Sequence, residues 1–467
     1  MIDSKLIELY QKLDKSDLRQ FKKWVHSPIH NDHKDVKQLF AFIYSRNALS
    51  AVTLQKKRAW SYIYPKQDYD DARLRYLMAL ALRLLTDFVG YKTAVNDNYT
   101  THIMRSKYFL EQEMPKPSQQ QLDLAQQSIA SETHNAQYHY QQYYIETLKF
   151  ELEGNKNWGR TTNISTITQH ARSFFMITTL RHACIALSHQ NVRKENYSIP
   201  MLEAILQEVK AGDYEQEAVL MIYYHGYLAF TNLEDTTNFL ALKAYLLDQS
   251  QKLNTSTQRE VLVMAINYCV KLLNSDQLNY IREAFELYRY GLKHNCLMIN
   301  HKMTIFAYAN IVALGLNLKE FDWIETFIPQ YSKFLDVPNP QNYEHHNTAR
   351  LAFARGDFDK TMSLLTQVEY DDLFLNMTAK IILLKIYYQE NYFDALEALL
   401  ESFRVFLNRK KILSYHKTNL MNLIKLTRKL LYLAPGEQHI KKLREQIKTT
   451  NPLAERKWLL EQLDKVK

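Results

Sequence analysis

Residues 343–366, YEHHNTARLAFARGDFDKTMSLLT, and residues 377–400, MTAKIILLKIYYQENYFDALEALL, decide the fold. Set 34 residues apart, each reads as a helix, a turn and a second helix. In the first, Gly356, Asp357, Phe358, Thr361, Met362 and Leu365 mark the turn and the start of the second helix. In the next, Glu390, Asn391, Tyr392, Ala395, Leu396 and Leu399 fall at the same places. Glycine after a helix accepts the left-handed conformation that closes the last turn. The stretch Tyr343–Phe403 is thus expected to hold two consecutive helix hairpins.

The rest of the chain supports an all-α fold. Among 467 residues there are 9 Gly and 10 Pro, about a third of ordinary usage. Sheets joined by tight turns, and nucleotide-binding folds with glycine-rich loops, need more. The 32 Tyr and 21 Phe suit wide aromatic helix faces. Cys184, Cys269 and Cys296 form no CxxC pair, which fits a reducing compartment. The opening residues show no secretory signal, and the apolar run Tyr76–Leu85 is broken by Arg83. A cytoplasmic chain without a membrane span is expected. Net charge is +9, and it is concentrated: Arg409–Lys467 carries 15 basic and 5 acidic residues, against 44 and 45 elsewhere.

In chain order, helices are expected at Ser4–Leu13, Ser16–His26 with Ser16 as N-cap, Asp35–Arg46, Leu54–Tyr64, Asp70–Tyr91 and Asn98–Gln112. Glu113–Ser118 holds Pro115 and Pro117 and reads as a stiff extended link. It places a domain boundary between a helical N-terminal domain (1–115) and an array of helix pairs (118–433). A loop containing Gly154 and Gly159 interrupts that array, and a long helix with Leu413 inward ends it. A basic helical cap (434–467) closes the chain. Phe321, Ile324 and Ile328 repeat the Phe358, Thr361, Leu365 spacing 37 residues earlier, and Leu278, Ile281 and Phe285 repeat it 43 further back.

Two resemblances rest on these residues. The paired units of Tyr343–Phe403 resemble the tetratricopeptide repeat, matching at the turn and at the small residue Ala395, with Leu383 where a small residue is usual. The segment Leu13-x-x-Ser16-x-Leu18-x-x-Phe21 through Ser27-Pro28-x-x-Asn31 resembles the start of a group of all-helical bacterial proteins that carries no assigned activity. The first resemblance implies a right-handed α-solenoid whose first helices line a concave face. It would present Tyr343, His346, Arg350 and Phe353 from one unit and Met377, Lys380, Leu384 and Tyr387 from the next, an aromatic and basic groove for a peptide. Packing of the apolar members between repeats is the competing reading.

No short motif of an NTPase, dehydrogenase, hydrolase, zinc protease or EF-hand is present. No catalytic residue, cofactor or metal site is expected. His26, His30 and His33 cluster at a turn but lack the fixed spacing of a closed zinc site. Arg355-Gly356-Asp357 spells an adhesion tripeptide but falls on the hairpin turn. The acid pairs Asp70-Asp71 and Asp371-Asp372 stand at helix starts, where carboxylates cap. At the C-terminal end, Lys441, Arg444 and Lys448 share one helix face, and Lys425, Arg428 and Lys429 add charge on the preceding helix. The expectation is a non-catalytic scaffold for a protein or peptide, an acidic one suiting the charge. Nucleic-acid or acidic-polymer binding through the basic end, and an enzyme or sensor with a ligand site between helices, are the alternatives.

Overall fold

The structure is a computed structural model. It describes residues 1–46, 48–153, 162–193, 196–248, 253–275, 277–366, 370, 372–410 and 414–466. The expected loop at Gly154 and Gly159, Asp371, and Leu413 lie outside the described residues. Among those described there are α-helices and no β-strand, and no helix is long and apolar enough to cross a membrane. The chain divides into two compact units, Met1–Leu220 and Met221–Lys467.

The first unit carries α1 (Lys5–Gln11), α2 (Lys15–His26), α3 (Lys34–Tyr44), α4 (Lys56–Ile63), α5 (Asp71–Asn96), α6 (Asn98–Glu111), α7 (Pro115–Ile129), α8 (Ala136–Glu153), α9 (Ile164–Arg193) and α10 (Leu202–Ala211). The division between the units falls within α11 (Ala218–Thr231). Polar side chains start several of these helices. Ser4 caps α1 and Asp70 caps α5, each accepting an amide of the first turn. The cap of α2 is Asp14, accepting from the Asp17 amide at 2.7 Å, and not Ser16. Either residue can cap, and the helix simply starts two residues earlier. Helices α1–α5 enclose one core, in which Phe21, Phe40 and Phe88 meet at ring distances of 5.0 and 5.3 Å. A second core, from Ile103 to Leu148, lies among α6, α7 and α8.

Glu113–Ser118 is not an extended link. Glu113 takes a left-handed φ of 55°, the Met114 amide reaches back to the Phe109 carbonyl at 2.8 Å, and Pro115 opens α7. Proline in the first helical turn loses no hydrogen bond. The Ser106 and Ser118 hydroxyls, both buried, meet at 2.9 Å and tie α6 to α7 as a hairpin. The boundary expected near 115 therefore sits inside a packed helix pair.

The second unit carries α12 (Thr237–Asp248), α13 (Thr255–Leu273), α14 (Tyr280–Lys293), α15 (Ile305–Asn317), α16 (Phe321–Ser332), α17 (Pro340–Arg355), α18 (Phe358–Thr366), α19 (Leu373–Gln389), α20 (Phe393–Arg409), α21 (Ser414–Leu431), α22 (Glu437–Thr449) and α23 (Arg456–Lys465). Three of its hairpins close in one way. Lys319, Gly356 and Asn391 are left-handed, with φ of 59°, 81° and 60°. The amide after each bonds the carbonyl five residues back: Glu320 to Gly315, Asp357 to Ala352 and Tyr392 to Tyr387, at 2.9–3.0 Å. Two residues beyond each left-handed position a Phe-Asp pair begins the next helix, at 321, 358 and 393.

This closure corrects the register read from the sequence. Turn to turn, the spacings are 37 and 35 residues, so the second unit is offset by 35 and not by 34. Thr361 corresponds to Leu396, both fully buried, and Leu365 to Leu400. Ala395, aligned with Thr361 at the 34-residue offset, is exposed. At the 43-residue offset, Leu278 is 64% exposed, whereas Phe285 is buried like Ile328. The 37-residue relation of Ile324 and Ile328 to Thr361 and Leu365 matches their common burial.

Two glycines allow opposite tests of this packing. Gly90 stands on the exposed side of α5 with nothing near a prospective Cβ, whereas a Cβ on Gly315 would overlap Cδ1 and Cγ1 of Ile324 where α15 meets α16. Gly90→Ala is expected to stabilise by about 0.5–1 kcal/mol, and Gly315→Ala to destabilise by about 1–3 kcal/mol through overpacking. Urea unfolding of both variants beside the parent checks the signs.

Candidate interaction surfaces

On α17, Tyr343, His346, Arg350 and Phe353 follow one another at 3, 4 and 3 residues and form one helix stripe. The structure turns part of this stripe inward, against α19. His346 is buried, with Nε2 2.8 Å from the Thr378 hydroxyl on α19. That hydroxyl also lies 2.8 Å from the Phe374 carbonyl. It donates there, so His346 Nε2–H donates to Thr378 and Nδ1 keeps a lone pair without a partner. Burial, and then the charge of Arg350, push the imidazole down to about 3. The Tyr343 hydroxyl donates to Asp372 at 2.9 Å, and Asp372 also caps α19. Arg350 is half-buried and donates from Nη1 to the buried Asn347 side chain at 3.0 Å.

The α19 half of the expected groove is mostly interior. Met377 and Leu384 are buried in a core that runs on through α20 to α23. Tyr387 is half-buried and packs on both cores of this region. Lys380 lies over the Phe406 ring on α20, 5.7 Å from its centroid. Two helical residues separate Lys380 from Thr378, so it points about 200° away from the α17 contact. Arg350 and Lys380 therefore do not share one surface, and the eight residues do not form one continuous groove. The reason is that α17 and α19 pack on each other, so the stripe read as concave is partly their seam.

The basic C-terminal end forms a real concavity. An open groove of about 690 Å³ runs between α21 and α22. Its floor is apolar: Met421, Ile424, Leu433 and Leu443. Its walls carry Lys425, Arg428, Lys429, Lys442, His439 and, from α20, Arg404. Tyr432 stands at the edge, 69% exposed. Glu401 takes both Arg404 forks, and Glu397 takes Arg428 at 2.8 Å. Lys429 donates to Gln446. Lys425, Lys429 and Lys442 have no carboxylate partner among the described residues, which leaves the groove positive.

Half of the basic patch read from the sequence belongs elsewhere. His439, Lys442, Leu443 and Gln446 sit at i, i+3, i+4 and i+7 and face the groove. At 100° per residue, Lys441, Arg444 and Lys448 lie on the opposite side of α22. There Lys441 pairs with Glu437, and Arg444 with Asp464. Leu443 and Ile447 are buried and set which side of α22 packs inward, and the exposed Lys442, about 100° from Leu443, stands on the groove wall. That spacing was available in the sequence, as was the Lys425–Lys429–Tyr432 stripe.

The other residues singled out by type serve local structure. His26 contacts the Lys22 carbonyl, and His30 stacks on Trp24 at 3.4 Å. Arg355 pairs with Asp322 and Glu325, while Asp357 accepts the Lys360 amide. In the first unit the sequence hid a polar relay: Glu217 lies 3.1 Å from His139 Nε2, and His139 Nδ1 lies 3.1 Å from His170 Nδ1. The ring centroids are 5.4 Å apart, so the imidazoles point straight at each other, as in an N–H···N hydrogen bond. Among the described residues no group of three or more His, Cys, Asp or Glu side chains is placed to hold a metal ion. No protein-family model, no curated protein and no solved structure matches the chain.

The buried His346 makes a pH prediction. Its pKa is lower folded than unfolded, so the unfolded chain binds a proton that the folded chain refuses below about pH 6.5. Its share of stability is complete above that pH and falls, by up to about 1.4 kcal/mol per unit, as the pH drops toward 3. Between pH 7.5 and 5.5 the parent should lose about 1–2 kcal/mol more than His346→Gln in urea unfolding. Equal losses would show that His346 is not kept neutral by the fold.

Proposed function

We propose that the chain is a non-catalytic interaction scaffold: a tetratricopeptide-like stack of helix hairpins whose C-terminal groove takes an acidic, amphipathic helix of a protein partner. The carrying observation is the groove between α21 and α22, with an apolar floor and three lysines unmatched by carboxylates among the described residues. A helix with leucines on one face and glutamates flanking it complements both features. The three hairpins with a common turn support the stacked-hairpin reading, since one helix pair cannot bury its own apolar face. Three buried cysteines without disulfides suit a cytoplasmic setting.

An apolar floor favours a peptide over a nucleic acid. Single strands are held by successive aromatic platforms along a basic track, and among the described residues Tyr432 and His439 are the aromatic rings at this groove. Phosphate-driven binding would also not call for buried leucine and isoleucine beneath the charges.

The test uses the full chain, a synthetic 15-residue helix bearing Leu on one face and Glu beside it, and a single-stranded oligonucleotide. The peptide should bind saturably, and Lys425→Glu with Lys429→Glu and Lys442→Glu should weaken it at least tenfold with the helical content unchanged. Lys441→Glu with Lys448→Glu, on the far face of α22, should change binding less than twofold. Oligonucleotide binding that falls steeply with salt, without peptide binding, would replace this reading with the nucleic-acid one.

A further inference from the structure

We propose that Glu217, His139 and His170 form a proton-operated latch. It joins α8, α9 and the segment leading into α11 while one proton lies between the facing imidazoles, and it lets go when each imidazole brings its own. The latch lies within the first unit and stands independently of the α21–α22 groove.

The hydrogen bonds allow one arrangement of protons. His139 is buried, and its Nε2 lies 3.1 Å from Glu217 Oε2. An ionised carboxylate only accepts, so His139 Nε2 carries a proton and donates it. The neutral His139 ring then has a bare Nδ1, which accepts from His170 Nδ1–H across 3.1 Å. His170 can take a further proton on Nε2 and still donate from Nδ1, so one positive charge leaves the latch closed. A second proton must go to His139 Nδ1. Two N–H groups then meet head to head, and the bond is lost.

The charged groups around the pair come from several elements. Glu217 stands at one end. Glu146, on α8, accepts from Lys149 and Asn163, both at 2.8 Å. His134, just before α8, has its ring 6.2 Å from that of His139. Arg172, further along α9, is turned to Glu208 on α10, Lys107 of α6 lies over the Tyr144 ring, and α7 meets the cluster through the neutral Gln126, which accepts from Lys149. Burial, and then the facing His139, pushes His170 below the ordinary imidazole value, against the pull of Glu146 and Glu217. Burial pushes Glu217 up, but the His139 bond and the nearby imidazoles outweigh it and hold the carboxyl below its ordinary range. The carboxylate therefore stays ionised as the pH falls through about 6.

The closed pair refuses a proton that a freed imidazole accepts at about pH 6.5. The latch is complete above that pH and weakens as the pH falls below it, about tenfold per unit for the one refused proton. Release has to move a helix. His139 is 2% exposed, so its Nδ1–H finds no water where it stands. His170 is half-buried and is the side from which protons arrive. Parting of α9 from α8 at this end removes the clash and wets both rings.

Amide hydrogen exchange of the full chain at about pH 7.5 and pH 5, corrected for the intrinsic slowing of exchange in acid, tests the latch. In the acid sample, protection in α8, in the first turns of α9 and in residues 214–220 should fall about tenfold or more, while α1–α5 keep theirs. His170→Asn places an amide where Nδ1 stands. It donates or accepts but takes no proton, so the variant should be equally protected at both pH values. His170→Ala should exchange at pH 7.5 as the parent does at pH 5. Circular dichroism checks that both variants keep their helical content, and His170→Gln replaces the Asn variant if that one is unfolded. The proposal fails if the parent shows no loss, if α1–α5 lose protection equally, if the amide variant responds to pH as the parent does, or if His170→Ala is as protected as the parent at pH 7.5.

Discussion

A single backbone device closes three helix hairpins of the second unit. After α15, α17 and α19 the chain takes one left-handed residue, and the next amide bonds the carbonyl five residues back. This closure turns the chain within two residues and sets the rotational phase of the helix that follows. Once Lys319, Gly356 and Asn391 are in place, Ile324, Thr361 and Leu396 must arrive at the same buried position. Only Gly356 adopts the conformation without strain. Lys319 and Asn391 are held there by the packing of the helices on either side.

The all-helical class was legible because it rests on summed composition and on periodicity over long segments, which tertiary packing seldom overrides. Helices α1–α5 follow their apolar stripes closely for that reason. Register was less legible. Gly356 stands out as a turn residue, but its counterpart Asn391 does not, and aligning on the glycine places Glu390 one residue early. The Phe-Asp pairs at 321, 358 and 393 carry the register without error, because each begins a helix two residues beyond Lys319, Gly356 or Asn391. The proline pair at 115 and 117 misleads in a similar way: proline breaks a helix interior but starts a helix without loss.

The candidate surfaces were legible in part. Charge excess located the basic end, since it is a property of composition. Which lysines meet was set by Leu443 and Ile424, whose burial fixes the rotation of α22 and α21 and so divides Lys442 from Lys441 and Lys448. On α17 the sequence could place Tyr343, His346, Arg350 and Phe353 on one stripe. It could not show that Thr378 would cover His346, because that depends on how α19 docks.

The binding surface proposed for this chain is therefore a meeting of buried apolar residues and unmatched cations, set by helix phase. Hydrogen exchange of the full chain with and without the acidic amphipathic helix tests it most directly. Binding in the groove should slow exchange in α21 and α22, between Met421 and Gln446, while α1–α5 stay unchanged. Slowing confined to other helices, or none at peptide concentrations that saturate binding, would contradict it.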